Sequence, residues 1–373
     1  MNGEVLFKIF EKAMEKRKSV LLIGKFGIGK SSVIYKYAEK KAKELNKQLA
    51  IWHELTEKEK YEIINNADKY FVLVDIKGSM ISLENLIMPV LDKNNQLVWQ
   101  VPLWVKVFEK ENSSGILFID EINMTSSKLQ SILFELILQR KIAETSLKSK
   151  NLLIIAGGND LDSNEYANEI PKPLINRFIL VNADEYLLNI DYWVAWAKRN
   201  NIDDRIIHYV LFKNKLFTKS EDSLSQSTTP RSLEILSEMI KDENDINMIE
   251  VFAKTLLEKN DAIEFTAFVK LYEKLKDINI YIKDVNKLEE LKEDELFIVT
   301  MKIVDYYLSN KINVNDLMKV LNKLLELRKE YIVVALKLIK ISDMNKFDEL
   351  TDKIVENDNE LYRMLKDMLT FYK

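Results

Sequence analysis

From Arg231 to Lys373 the chain contains neither glycine nor proline, and its 373 residues hold only eight glycines and five prolines in all. Average usage would supply about 26 and 19. These two residues punctuate a backbone, so a chain this poor in them cannot turn tightly every ten residues. Collagen-like and Pro/Gly-rich disordered classes are excluded, an all-β chain is hard to build, and helices are favoured, with glycine kept for a few special loops. Gly24, Gly27 and Gly29 fall in one hexapeptide, and Gly157 and Gly158 are adjacent.

At 47% hydrophobic and 10% aromatic the chain can bury a substantial core, and its length suggests two or three domains. A formal net charge of -4 offers no global attraction to nucleic acid or to an anionic membrane. No cysteine is present, which excludes disulfides, thiolate metal sites and thiol nucleophiles. The first twenty residues carry acids at an amphipathic spacing and do not read as a signal peptide. No stretch is apolar enough to span a membrane, so a cytoplasmic location is expected.

The first half alternates short apolar runs with helix-period segments, the pattern of an α/β fold with a parallel sheet. Strands are predicted at Val20–Ile23, Phe71–Ile76, Ile116–Ile119, Leu152–Ala156 and Phe178–Val181, and helices at Lys30–Leu45, Glu54–Ala67 and Ser127–Gln139. Between Leu91 and Val101 the turn residues Asp92-Lys93-Asn94-Asn95 predict a hairpin. After Asn182 the strands essentially stop, and helical patterns follow, separated by Asp/Asn/Ser joints that serve as N-caps. Ser220–Thr229 is the most loop-like segment.

Gly24-Lys25-Phe26-Gly27-Ile28-Gly29-Lys30-Ser31 fits G-x-x-x-x-G-K-[ST] between a predicted strand and a predicted helix. In that context backbone N–H groups curl around a phosphate, the helix N-terminus adds positive potential, Lys30 reaches the β/γ oxygens and Ser31 ligates Mg²⁺. Ile116–Glu121 is a run of four apolar residues ending in two acids: Asp120 suits a Mg²⁺ water shell and Glu121 suits the orientation and deprotonation of an attacking water. A third strand runs into Gly157-Gly158-Asn159, whose amide could bond the γ-phosphate or the lytic water; an Asn-Asp turn is the plainer alternative. Arginine is scarce, and Arg177 and Arg231 both sit beside prolines at predicted element ends, where a guanidinium fork onto phosphate competes with simple surface charge.

This constellation resembles the MoxR-type branch of the AAA+ ATPases, the helix-2-insert branch related to dynein-like motors. The ordered segments are GKFGIGKSS, VDIKGSMISLENLIMP, VPLWV, GILFIDEINMTSSKLQSILFELILQRKI, IIAGGND, IPKPLINRFI, YWVAWA and TTPRSLEIL. The resemblance implies an αβα nucleotide-binding core over 1–184 with an insert hairpin at about 77–105, a helical lid over 185–258 and a C-terminal helical domain over 259–373. It implies ATP and Mg²⁺ as cofactors. Gly24, Phe26, Gly27, Ile28, Gly29, Lys30, Ser31 and Ser32 become Walker A, Asp120 and Glu121 Walker B, Asn159 sensor 1 and Arg231 sensor 2. Arg177 becomes the finger that completes a neighbouring subunit's site, which requires a homo-oligomeric ring, usually a hexamer. A partner with a von Willebrand factor A domain and a role in maturing protein complexes or metal cofactors are also implied. The insert departs from the pattern: Glu84–Pro89 lacks the Asp and Gly of DLRGLP, and only Trp104 remains of PPEW.

His53 and His208 have no third partner at metal-ligand spacing, and Trp193 and Trp196 read as packed lid core. The leading expectation is an ATP-driven remodelling motor. A nucleotide-gated scaffold is an alternative opposed by the intact Asp120, Glu121 and Asn159. A nucleic-acid-acting protein is opposed by the acidic balance.

Overall fold

The computed structural model describes residues 2–159, 170–221, 225–356 and 360–371. Asp160 of the IIAGGND segment and residues 222–224 of the Ser220–Thr229 loop lie outside them. The chain divides into two compact units, Met1–Leu188 and Asn189–Lys373.

The first unit is built on ten strands: β1 (Ser19–Gly24), β2 (Gln48–Ile51), β3 (Tyr70–Lys77), β4 (Met88–Leu91), β5 (Leu97–Gln100), β6 (Ser114–Asp120), β7 (Lys141–Ile142), β8 (Thr145–Ser146), β9 (Asn151–Asn159) and β10 (Phe178–Asn182). Six of them form a parallel sheet in the order β10-β1-β9-β6-β3-β2. Its inner strands are buried on both faces, which is why they read as unbroken apolar runs and not as alternating ones. One face packs on Trp104, Val105, Phe108, Leu129 and Leu133. The helices α1 (Asn2–Glu15) and α2 (Lys30–Glu44) pack on the sheet and on each other, with Phe10 edge-on to Tyr37 at 5.2 Å.

Each predicted strand and helix of this unit forms, extended or trimmed by a few residues at its ends. The helix expected from Glu54 begins at Glu57, because Thr56 makes a capping box with Glu59. The hairpin starts earlier than expected: Met88 pairs with Gln100 and Leu91 with Leu97, so its first strand precedes the predicted Leu91. The edge strand β2 was not predicted; its apolar run Leu49-Ala50-Ile51 is short, and only Ala50 of it is buried.

The second unit is helical, and the isolated Thr218–Thr228 bridge is its one described β pairing. Three of its helices end with asparagine in the left-handed position that glycine commonly takes: Asn201, Asn214 and Asn310 have φ of 53°, 51° and 60°. Thr229 and Ser232 cap the Pro230–Ile240 helix reciprocally, with Pro230 in its first turn. Arg205 closes the other end of that helix, donating from Nη2 to Ile240 O at 2.6 Å while it pairs with Asp203.

Candidate functional site

Because β1, β9 and β6 are consecutive and parallel, their carboxyl ends lie together at one edge of the sheet, where ligands of open α/β sheets bind. Gly24 and Asn159 are register partners at that edge, and β6 delivers Asp120 and Glu121 beside them. The loop from Gly24 to Gly29 then feeds α2. Gly27 and Gly29 have φ of 68° and 96°, and a Cβ at Gly29 would touch nothing within 4 Å. Glycine is needed there for backbone conformation and not for space. Ile28 is buried and fixes the middle of the loop, while Phe26 is half-buried and Ser32 faces solvent. The α2 N-terminus has no side-chain cap and no acid in its first turn, so its N–H groups are offered to an external anion.

Lys30 is buried and donates to Gly24 O and Lys25 O at 2.8 Å each and to Asn159 Oδ1 at 3.0 Å. Its ammonium thus bridges the phosphate loop and the end of β9. Ser31 Oγ donates to Asp120 Oδ2 at 3.2 Å. Gly157 makes room for this carboxylate, since a Cβ there would stand 2.9 Å from Asp120 Oδ1. Glu121 has φ 53° and ψ 42°, a left-handed conformation that is uncommon for such a residue and concentrates at functional sites.

Two residues that were not singled out from the sequence, Ser79 and Asn123, hold these groups in place, and a third, Tyr35, holds the neighbouring Asp75. Ser79, in the turn after β3, donates to Glu121 Oε2 at 2.7 Å. Asn123, buried after β6, donates to Asn159 O at 2.8 Å and accepts from Asn159 N at 3.3 Å, which pins the backbone at the tip of β9. Tyr35 donates to Asp75 Oδ2 at 2.9 Å. Burial pushes the Asp75 carboxyl above the usual range and Asp120 adds to the rise, against the Tyr35 hydrogen bond. These contacts join residues 36 to 42 positions apart, beyond the reach of any local pattern.

Arg177 is not part of this cluster. Ser19 and Phe178 are register partners, so Arg177 precedes β10 at the opposite end of the sheet from Gly24, about 20 Å along the strands. It is exposed. Arg231 lies in the second unit, exposed in the first turn of its helix.

The sheet order and the phosphate loop between β1 and α2 are those of the AAA+ P-loop fold. Residues 19–178 match the AAA domain (dynein-related subfamily). A point mutant of RuvB from Thermotoga maritima is structurally similar over 90% of this chain and 86% of its own, at 14% identity and a TM-score of 0.37. A putative ATPase from Cytophaga hutchinsonii is similar over 98% and 88%, at 10% identity and a TM-score of 0.31. No curated protein matches the chain. No helix among the described residues is long and apolar enough to cross a membrane.

The site suits a hard divalent cation. Ser31 and Asp120 present oxygen donors side by side, and no group of three or more His, Cys, Asp or Glu converges as a metal cage among the described residues. This is the donor set of a cation held by one carboxylate, one hydroxyl and substrate phosphates, as Mg²⁺ is.

Proposed function

We propose that the protein is a Mg²⁺-dependent, ATP-hydrolysing remodelling motor of the MoxR type whose site is completed between subunits of a ring. The observation that carries this reading is the assembly of Lys30, Ser31, Asp120, Glu121 and Asn159 at one edge of the sheet while Arg177 stands at the other.

In this reading the loop N–H groups and Lys30 hold the β- and γ-phosphates, and Ser31 and Asp120 hold Mg²⁺. When bound, the cation neutralises charge on the phosphate oxygens. Glu121 orients a water and accepts its proton as the water oxygen attacks the γ-phosphorus and the bond to the ADP oxygen breaks. Asn159 steadies the γ-phosphate or that water, with its backbone fixed by Asn123. Arg177 serves a neighbour's γ-phosphate, because it is too far from its own loop for an arginine side chain to span. Residues 1–184 form the motor core, 185–258 a lid from which Arg231 senses nucleotide, and 259–373 a C-terminal helical domain. The β4–β5 hairpin exposes Leu91, Leu97 and Trp99 and passes motion to a protein client. A partner with a von Willebrand factor A domain, a role in maturing protein complexes or metal cofactors and a cytoplasmic location complete the proposal by resemblance.

The test is complementation. R177A and K30A are each expected to lose ATPase activity, R177A while keeping ATP affinity. Mixed rings should regain activity, because the intact loop of an R177A subunit meets the intact Arg177 of a K30A neighbour. Co-assembled mixtures that stay inactive would sink the between-subunit model.

A further inference from the structure

The first glycine of the phosphate loop is crowded by a carboxylate that arrives from far along the chain. A Cβ on Gly24 would stand 2.6 Å from Asp184 Oδ1, 3.1 Å from Ala183 Cβ and 3.1 Å from Ile28 Cδ1. Asp184 reaches this place because β10 lies beside β1 in register, and Ala183 N continues the pairing by donating to Ile23 O at 2.7 Å. Asp184, the second residue after β10, therefore meets Lys25, the first residue after β1. Asp184 Oδ1 accepts from Lys25 N at 2.9 Å, and Oδ2 accepts from Lys25 Nζ at 2.9 Å. The pair is only partly exposed, with 35% of the lysine side chain and 20% of the aspartate side chain accessible.

We infer that Asp184 is a positioning residue for the phosphate loop, setting its affinity for nucleotide without touching the reacting atoms. The inference rests on the nucleotide-site reading above. Both carboxylate oxygens are used, one on the backbone and one on the side chain of the same residue, so Lys25 is held at two points. This fixes the first peptide of the loop and keeps the Lys25 ammonium on Asp184. The N–H groups from Gly27 to Ser31 then start from a set direction, and Lys30 finds Gly24 O and Lys25 O in place as acceptors. Hydrogen bonds to ionised groups are the stronger class, and a loop ordered before binding loses less entropy on binding. Loss of the clamp therefore weakens nucleotide binding and leaves the chemistry of the bound complex nearly intact. The small residue at position 24 follows from the same contact: Gly24 leaves room for the carboxylate as well as for the turn.

The experiment measures ATP affinity by calorimetry and steady-state ATPase parameters on the full chain for wild type, D184N, K25M, the double variant and K30A. D184N is expected to raise the Kd for ATP about tenfold. KM should rise with it, while kcat stays within about twofold. K25M should raise Kd about threefold, and the double variant should bind no more weakly than D184N alone, the sign of two residues acting through one interaction. Wild-type affinity in D184N, a fall in kcat with KM unchanged, or fully additive losses in the double variant would overturn the assignment. Should D184N fail to fold, K25M carries the test, and unchanged affinity there overturns it. The underlying reading fails separately: it is lost if wild type binds no ATP or if K30A binds ATP as wild type does.

Discussion

Asp120 and Glu121 at the end of β6 and Asp305 among the helices of the second unit are all carboxylates set beside other polar groups, yet their surroundings differ. Asp305 is fully engaged: Lys198 Nζ donates to Oδ1 at 3.1 Å, His208 Nε2 lies 3.1 Å from Oδ2, and Lys198 also pairs with Asp204 at 2.8 Å. Burial opposes its ionisation, but His208 and Lys198 outweigh burial and hold its carboxyl below the usual range. Asp120 and Glu121 have lighter partners, the hydroxyls of Ser31 and Ser79, on half-open surfaces. Glu121 also sits on a left-handed backbone that a packed helix would not tolerate. A carboxylate held between a lysine and a histidine stabilises the fold. One held by hydroxyls stays available to a cation, a water or a proton.

The contrast predicts opposite phenotypes. Removing the charge of Glu121 is the largest expected effect on function: E121Q should cut ATP turnover at least 100-fold, about 3 kcal/mol or more of transition-state stabilisation, with ATP binding and thermal midpoint unchanged. Wild-type turnover in E121Q would remove the assigned base. Asp305→Asn should do the reverse, leaving ATP affinity of the first unit intact and costing about 2 kcal/mol in urea unfolding, because Lys198 and His208 lose the partly buried charge between them. Its pH dependence sharpens the point. The Asp305 carboxyl is depressed in the folded state, so its contribution is fully present above the ordinary carboxylate range near about pH 4 and is lost as pH falls toward the folded value. The stability gap between wild type and D305N should therefore narrow on acidification, and a gap that is constant or widens contradicts the pairing. The smallest effect belongs to Asn123→Ala, which leaves the backbone at Asn159 unclamped: kcat should fall about tenfold with little change in ATP affinity. An equal loss in N123A and in N123A/N159A would show that Asn123 acts through Asn159.

Much of the first unit was legible because its signals are local. A parallel sheet buried on both faces writes its inner strands as apolar runs, so β1, β3, β6 and β9 stand out, and the loop between β1 and α2 is a contiguous motif. The edge strand β10 was legible from its apolar Phe178–Val181 run, although only Val181 of it is buried. The edge strand β2 was missed because its apolar run, Leu49-Ala50-Ile51, is too short to show a period. The hairpin turn at Asp92 was readable, but pairing from Met88 was not, since every residue from Met88 to Gln100 is exposed or only half-buried. In the helical unit the absence of glycine pointed to helices. It did not show that Asn201, Asn214 and Asn310 would take glycine's place at the helix ends.

Amino-acid order alone sets out the candidate nucleotide-site residues that lie within a few positions of one another: the loop to Ser31, the acids Asp120 and Glu121, and Asn159 after its glycine pair. What meets them depends on how the strands assemble. Parallel register sends Arg177 to the far end of the sheet and brings Asp184 back onto Lys25 across 159 residues, while Ser79 and Asn123 close on Glu121 and Asn159. The cause is geometric: a motif is held by covalent neighbours, whereas the partner of a strand end is chosen by which strands lie side by side and in what register, and no short stretch of sequence records that.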